Sequence, residues 1–147
     1  MRSDCVFCKI ARGQIPSHRV HEDELTLAFM DVEQVNPGHV IVAVRAHLET
    51  IVDLSPDQAA AAFRTVAQVA RAVQTAFKPE GLTILQTNGT GGWQSVPHFH
   101  LHVLPRHSND GVNLTWPRKN PPADELARVA VRIRTAQCRQ SNEESQI

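Results

Sequence analysis

His98-Phe99-His100-Leu101-His102-Val103-Leu104-Pro105-Arg106 alternates an ionisable ring with an apolar side chain. A period of two is the pattern of a β-strand with one face buried, where residues two apart share a face at about 6.6 Å. The stretch therefore predicts a strand with His98, His100 and His102 on one face and Phe99, Leu101 and Val103 turned into a core. Imidazole is the side chain whose charge changes near neutral pH, and three on one face can offer a small ligand a nucleophile, an acid and hydrogen-bond donors. Two other readings stay open on the residues alone. The polar side of an ordinary amphipathic strand can be histidine by coincidence, or the three histidines can be ligands of a hydrolytic zinc, since His-x-His pairs on strands are common metal ligands.

Working outward, residues 82–87 read as another strand, with Gly89, Gly91 and Gly92 as a flexible loop between the two. Ser55-Pro56-Asp57 predicts a helix start: Ser as N-cap, Pro at the first helical position and an acid in the first turn. That helix runs to about Phe77, ahead of Lys78-Pro79-Glu80-Gly81. Phe63, Val66, Ala70, Val73 and Phe77, three and four residues apart, form the stripe expected to pack on a sheet. Residues 39–44 read as a buried strand after the turn Asn36-Pro37-Gly38, and residues 20–22 and 25–30 as two short strands around Asp23-Glu24. Near the start, Cys5 to Gly13 reads as a short helical turn, with Pro16 just beyond. After Pro105 come a polar loop over 106–122, a helix over about 123–137 and a polar tail, 139–147, expected to be disordered. The sum is one α+β domain with a mainly antiparallel sheet over residues 3–120, and 121–138 as its C-terminal helix.

The chain has 147 residues, enough for a hydrophobic core without disulfide staples. Acidic and basic residues balance at 15 each, so there is no bulk attraction for nucleic acid or an anionic membrane, and phosphate binding has to be local. Met1-Arg2-Ser3-Asp4-Cys5 is followed by no apolar stretch, and the longest apolar run, residues 40–44, is far too short to span a bilayer. With three cysteines, an odd number, a cytoplasmic protein without a disulfide framework is expected.

The complete pattern at 98–104, histidines alternating with apolar residues, resembles the histidine triad (HIT) family of nucleotide hydrolases and transferases. The similarity extends from about residue 5 to residue 106. Cys5-x-x-Cys8-Lys-Ile with Ile15-Pro16 resembles the family's N-terminal segment, and Leu27-Ala28-Phe29-Met30-Asp31-Val32 its nucleoside-binding strand. Pro37-Gly38-His39-Val40-Ile41-Val42 and Arg45-Ala46-His47 resemble the next strand and its loop, and Gln94-Ser95-Val96 the approach to the triad.

The resemblance implies five antiparallel strands with two main helices, a homodimer whose sheets join, and hydrolysis of a purine nucleotide at its α-phosphate through a nucleotidyl-histidine. No cofactor is required for that chemistry. By motif position His100 would be the nucleophile, His102 the donor to phosphate and leaving group, His98 the residue holding its neighbour's ring, and His39 a fourth histidine fixing a tautomer. Phe7, Ile10, Leu27, Phe29 and Val32 would form an apolar slot for the base, and Asp31 would accept from the ribose hydroxyls. Asn88, Gly89, Gln94 and Ser95 would meet the phosphates and leaving group. For the apolar five, ordinary core packing is an equally good explanation. The phosphoramidase branch is the leading reading. Val96-Pro97 and His102-Val-Leu-Pro-Arg106 lean towards dinucleoside polyphosphates, and a nucleotide-binding regulator without catalysis is a third option.

One departure stands out. Trp93 occupies the place before Gln94 where the family commonly carries Gly. Trp116-Pro117 resembles a C-terminal Trp-Pro that some members present to the partner subunit's site. Cys5 and Cys8 have the spacing of a zinc half-site. Several bacterial members complete a structural zinc site from the positions of His47 and His98, so the resemblance implies a closed site of Cys5, Cys8, His47 and His98. Cys138 is read as a free thiol and His18, His21 and His107 as surface residues.

Overall fold

The histidine strand is paired on both sides. A computed structural model describes residues 2–144. In it β5 (His100–Arg106) runs antiparallel between β3 (Val40–Val44) and β4 (Gly81–Leu85), and β2 (Thr26–Met30) and β1 (Arg19–Glu22) extend the sheet beyond β3. The order β1-β2-β3-β5-β4 is antiparallel throughout, as expected for the α+β class. Val40-Ile41-Val42-Ala43-Val44 is buried along its whole length, which is why this strand reads as a continuous apolar run and not as an alternation.

The register sorts the sheet into two faces. Val40, Val42 and Val44 join Phe99, Leu101, Val103 and Ala28 in a core closed by Ala62, Val66, Val69 and Val73 of α2 (Pro56–Phe77). The other face carries cross-strand rows: Phe29–Ile41–His102 and Leu27–Ala43–His100. Over it lies α1 (Val6–Ala11), whose Phe7, Cys8, Ile10 and Ala11 form a second core with Leu27, Phe29, Ile41 and Ala43. Helix α2 starts as its sequence requires. The Ser55 hydroxyl accepts from Gln58 N–H at 3.3 Å, Gln58 returns the bond to Ser55 N–H at 2.9 Å, and Pro56 opens the first turn.

Several expectations need correction. The apolar stripe of α2 is turned from the one read: Phe63 is half exposed, and the buried positions are Ala61, Ala62, Thr65, Val66, Val69 and Val73. Small side chains let the helix sit close to the sheet, and Thr65 enters the core because its hydroxyl meets that of Thr26 at 2.8 Å. Strand β5 starts at His100, since His98 N–H turns back to Val96 O and Phe99 N–H to Leu48 O. Strand β4 ends at Leu85, two residues short of expectation. The loop of three glycines contains a short 3-10 turn, Thr90–Gly92. The tail is not disordered from 139 onwards: α3 (Ala123–Glu144) continues through it, with residues 145–147 outside the described residues. The chain divides into two compact units, Met1–Val112 and Asn113–Ile147, so α3 and its leading loop form a unit of their own.

Candidate active site and candidate metal centre

His98, His100 and His102 do not converge on one point. His98 is fully buried at the start of the run. Its Nε2–H donates to Val44 O at 2.7 Å, which leaves the Nδ1 lone pair facing Cys5 Sγ at 3.4 Å and Cys8 Sγ at 3.7 Å. His47 brings its Nδ1 to 3.4 Å from Cys8 Sγ. The four ligand atoms of Cys5, Cys8, His47 and His98 lie within 4.8 Å of one another. His47 Nε2 is buried without a hydrogen-bond partner among the described residues, 3.9 Å from Glu49 Oε1. Two thiols and two imidazole lone pairs in a closed, buried cluster are the donor set of a structural zinc site, so these residues fit the ion.

His100 is held in the opposite tautomer. Its Nδ1–H donates to His98 O at 2.6 Å, so the lone pair sits on Nε2. Phe7 meets the ring edge-on, with centroids 5.0 Å apart, and only 4% of His100 is exposed. His102 and His39 form a second pair. His39 Nδ1 faces Val35 N–H at 3.5 Å, so Nε2 carries the proton and donates to His102 Nδ1 at 2.9 Å. His102 then presents Nε2–H outward. The Asp31 carboxylate completes the set, with Oδ2 3.3 Å from His39 Nε2 and 3.7 Å from His102 Nδ1, and Oδ1 accepting from Glu33 N–H at 2.9 Å.

Burial holds all three of these rings below the ordinary histidine value. For His102 burial acts first, the rings of His100 and His39 add to it against the opposing Asp31, and the ring is pushed down to about 4. At neutral pH the site therefore holds neutral imidazoles, one with a free Nε2 lone pair and its neighbour with a free Nε2–H. A nucleophile beside a hydrogen-bond donor is the arrangement that displacement at phosphorus needs.

The other residues singled out in the sequence fall into three groups. Phe7, Ile10, Leu27 and Phe29 are buried together beside the histidine rows, with Ile41 and Ala43 of β3 as members that the unbroken apolar run had hidden. Val32 lies past the strand end, 92% exposed, and does not line that cluster. Asn88, Gly89 and Gln94 are bound into one loop: Asn88 Oδ1 accepts from Ile51 N–H at 2.8 Å and Gln94 Oε1 from Gly89 N–H at 2.7 Å. Gln94 Nε2 donates to Glu49 O at 2.6 Å, and Ser95 next to it is exposed. Main-chain atoms were beyond the reach of sequence reading: the carbonyls of Val44 and His98 choose the two tautomers, and only strand register shows it.

A model of the HIT domain matches residues 12–109, and the triad geometry lies inside that span. The chain belongs to the histidine triad family. Among its HIT relatives, "Protein hit" of Bacillus subtilis (strain 168) is 42% identical over 114 residues, covering 77% of this chain and 79% of that one. "Adenosine 5'-monophosphoramidase hnt1" of Schizosaccharomyces pombe is 34% identical over 130 residues, covering 88% and 95%. The crystal structure of a HIT family protein from Bacillus anthracis superposes with a TM-score of 0.88 at 36% identity, covering 92% of this chain and 99% of that one. A Zn-bound histidine triad family protein from Mycobacterium smegmatis superposes at 0.71 with 31% identity, covering 94% and 97%. No helix among the described residues is long and apolar enough to cross a membrane.

Proposed function

We propose that this HIT protein hydrolyses purine nucleoside 5′-phosphoramidates and related nucleotide conjugates at the α-phosphate, through a nucleotidyl intermediate on His100. The observation that carries the reading is the pair of complementary rings, His100 with its Nε2 lone pair free and His102 with its Nε2–H free. The monophosphoramidase relative from Schizosaccharomyces pombe supports the choice of substrate class.

In the first step the His100 Nε2 lone pair forms a bond to the α-phosphorus. The bond from phosphorus to the leaving nitrogen breaks, and its electron pair leaves with that nitrogen. A bound phosphate anion offsets the burial that keeps His102 neutral, so His102 becomes protonated in the complex and passes its Nε2 proton to the leaving amine. In the second step His102 takes a proton from water as the water oxygen attacks phosphorus, and the electron pair of the P–N bond returns to His100. The products are the nucleoside monophosphate and the amine. The proton that His102 gains sits on Nδ1, where the Asp31 carboxylate, 3.7 Å away and beside His39, would stabilise the charged ring.

The base would lie against Phe7, Ile10, Leu27 and Phe29, on the β2 side of the histidines. The ribose hydroxyls would meet Asp31, whose carboxylate is 13% exposed, and Gly89, Gln94 and Ser95 would line the phosphate side. Cys5, Cys8, His47 and His98 would hold a zinc ion. With four protein ligands the ion would have no open position, so it supplies structure to the strand that carries His100 and no chemistry. The edge strand β4, with Ile84 half exposed, is available to pair with a second copy into a homodimer.

Initial rates on adenosine 5′-phosphoramidate and on diadenosine polyphosphates test the reading. A higher kcat/KM on the phosphoramidate is expected. A marked preference for the dinucleotides would transfer the proposal to that branch, and no turnover of either, with normal AMP binding, would leave a nucleotide-binding module.

A further inference from the structure

Trp93 is the one large side chain in a loop otherwise built from small and polar residues, Asn88-Gly89-Thr90-Gly91-Gly92-Trp93-Gln94-Ser95. It closes the short 3-10 turn with φ 67° and ψ 23°, the left-handed conformation that favours glycine. A bulky residue there costs on the order of 1 kcal/mol, and strain of this kind persists where the surroundings hold it. The surroundings do hold it. Trp93 N–H donates to Thr90 O at 3.1 Å and Gln94 N–H to Gly89 O at 3.1 Å. The Gln94 side chain ties the same loop to Glu49 O at 2.6 Å. The indole is nevertheless 76% exposed, so packing does not explain the residue.

The place of the loop in the fold puts Trp93 on the segment that joins β4 to β5. Across the sheet the row Phe29–Ile41–His102 continues to Leu85, and Leu27–Ala43 leads to His100. The loop leaves β4 just after Leu85, beside His102, and returns to β5 at His100. The loop thus borders the histidine rows on the β4 side, and its last part packs Val96 against the apolar cluster. A nucleotide with its base at the cluster and its α-phosphate on His100 extends its leaving group towards the loop.

We infer that Trp93 is a specificity-determining residue whose indole is the stacking surface for a planar aromatic leaving group on the α-phosphate. The inference rests on the hydrolase reading above. Stacking on an exposed indole is indifferent to hydrogen-bonding pattern, so an aryl amine and a second nucleobase both satisfy it.

The test compares kcat/KM for an adenosine phosphoramidate of an aryl amine against one of an alkyl amine, and for diadenosine polyphosphate against ATP. It is run on the full-length wild type, Trp93→Gly and Trp93→Phe. Glycine suits the backbone at this position, so Trp93→Gly is expected to melt no lower than wild type. The wild type should prefer the aromatic member of at least one pair. Trp93→Gly should lose that preference by about tenfold, and Trp93→Phe should keep most of it. A loss confined to the amide pair identifies an aryl amine as the group that stacks, and one confined to the second pair identifies a nucleobase. Unchanged ratios in Trp93→Gly, with both members turned over, overturn the inference and leave the hydrolase reading intact. A wild type that turns over none of the four overturns the reading beneath it.

Discussion

The carbonyl oxygen of His98 accepts the Nδ1–H of His100 at 2.6 Å, so the main chain of one triad histidine fixes the ring of the next. The His98 side chain faces the other way, towards Cys5 and Cys8. A residue that belongs to the candidate metal cluster by its ring therefore belongs to the candidate active site by its backbone. Anything that lets His98 move is expected to loosen the nucleophile as well.

The first prediction follows from that linkage. Purified protein is expected to carry about one zinc ion per chain by elemental analysis. Cys8→Ser should lose the metal and melt roughly 10 °C lower, equivalent to a few kcal/mol for a chain of this size. Equal metal content and equal melting in the variant would remove the metal centre from the account.

Acid should destabilise the fold through its buried histidines. A histidine that titrates near 6.5 when unfolded and about 4 when folded takes up its proton more readily in the unfolded chain. The stability it contributes is complete above about pH 6.5 and is lost as pH falls towards 4. For His102 the loss between pH 7.5 and pH 5 is about 2 kcal/mol. His39 and His100 are shifted in the same direction and add to it. Urea midpoints at the two pH values check this, and a midpoint that rises on acidification contradicts it.

The same depressed ring predicts proton uptake on binding. If the phosphate anion lets His102 become protonated, AMP should take up close to one proton near neutral pH. Calorimetry in buffers of different ionisation enthalpy reads this directly, and the uptake should vanish in His102→Gln. Uptake of the same size in that variant would assign the proton elsewhere.

Gly38 offers a test on the fold alone. Its φ is 95°, and a Cβ there would lie 2.7 Å from the Phe77 ring. Gly38→Ala is expected to cost about 2 kcal/mol from strain and overlap together. Phe77→Ala should recover only the overlap, leaving the backbone part of the cost, and a double-mutant cycle on urea midpoints separates the two.

The residues that were legible in the sequence are those whose pattern is local. The alternation at 98–104 displayed the histidine face, Ser55-Pro56 the start of α2, and Asn36-Pro37-Gly38 the turn before β3. Phe63 misled because several apolar stripes can be drawn on an alanine-rich helix, and the choice among them depends on how closely the sheet approaches. Ile41 and Ala43 were invisible because a strand buried on both faces shows no period. The polar tail looked disordered by composition, yet α3 runs on to Glu144. The tautomers of His98 and His100 were out of reach, since carbonyl oxygens carry no signature in the residue letters.

The central claim is a covalent bond from phosphorus to His100. Wild type and His100→Ala are each mixed with adenosine 5′-phosphoramidate, quenched in alkali, where a phosphorus–histidine bond survives, and weighed intact by mass spectrometry. The account predicts an added adenylyl mass on the wild type and none on the variant. The same adduct on His100→Ala, or turnover by that variant at the wild-type rate, would contradict it.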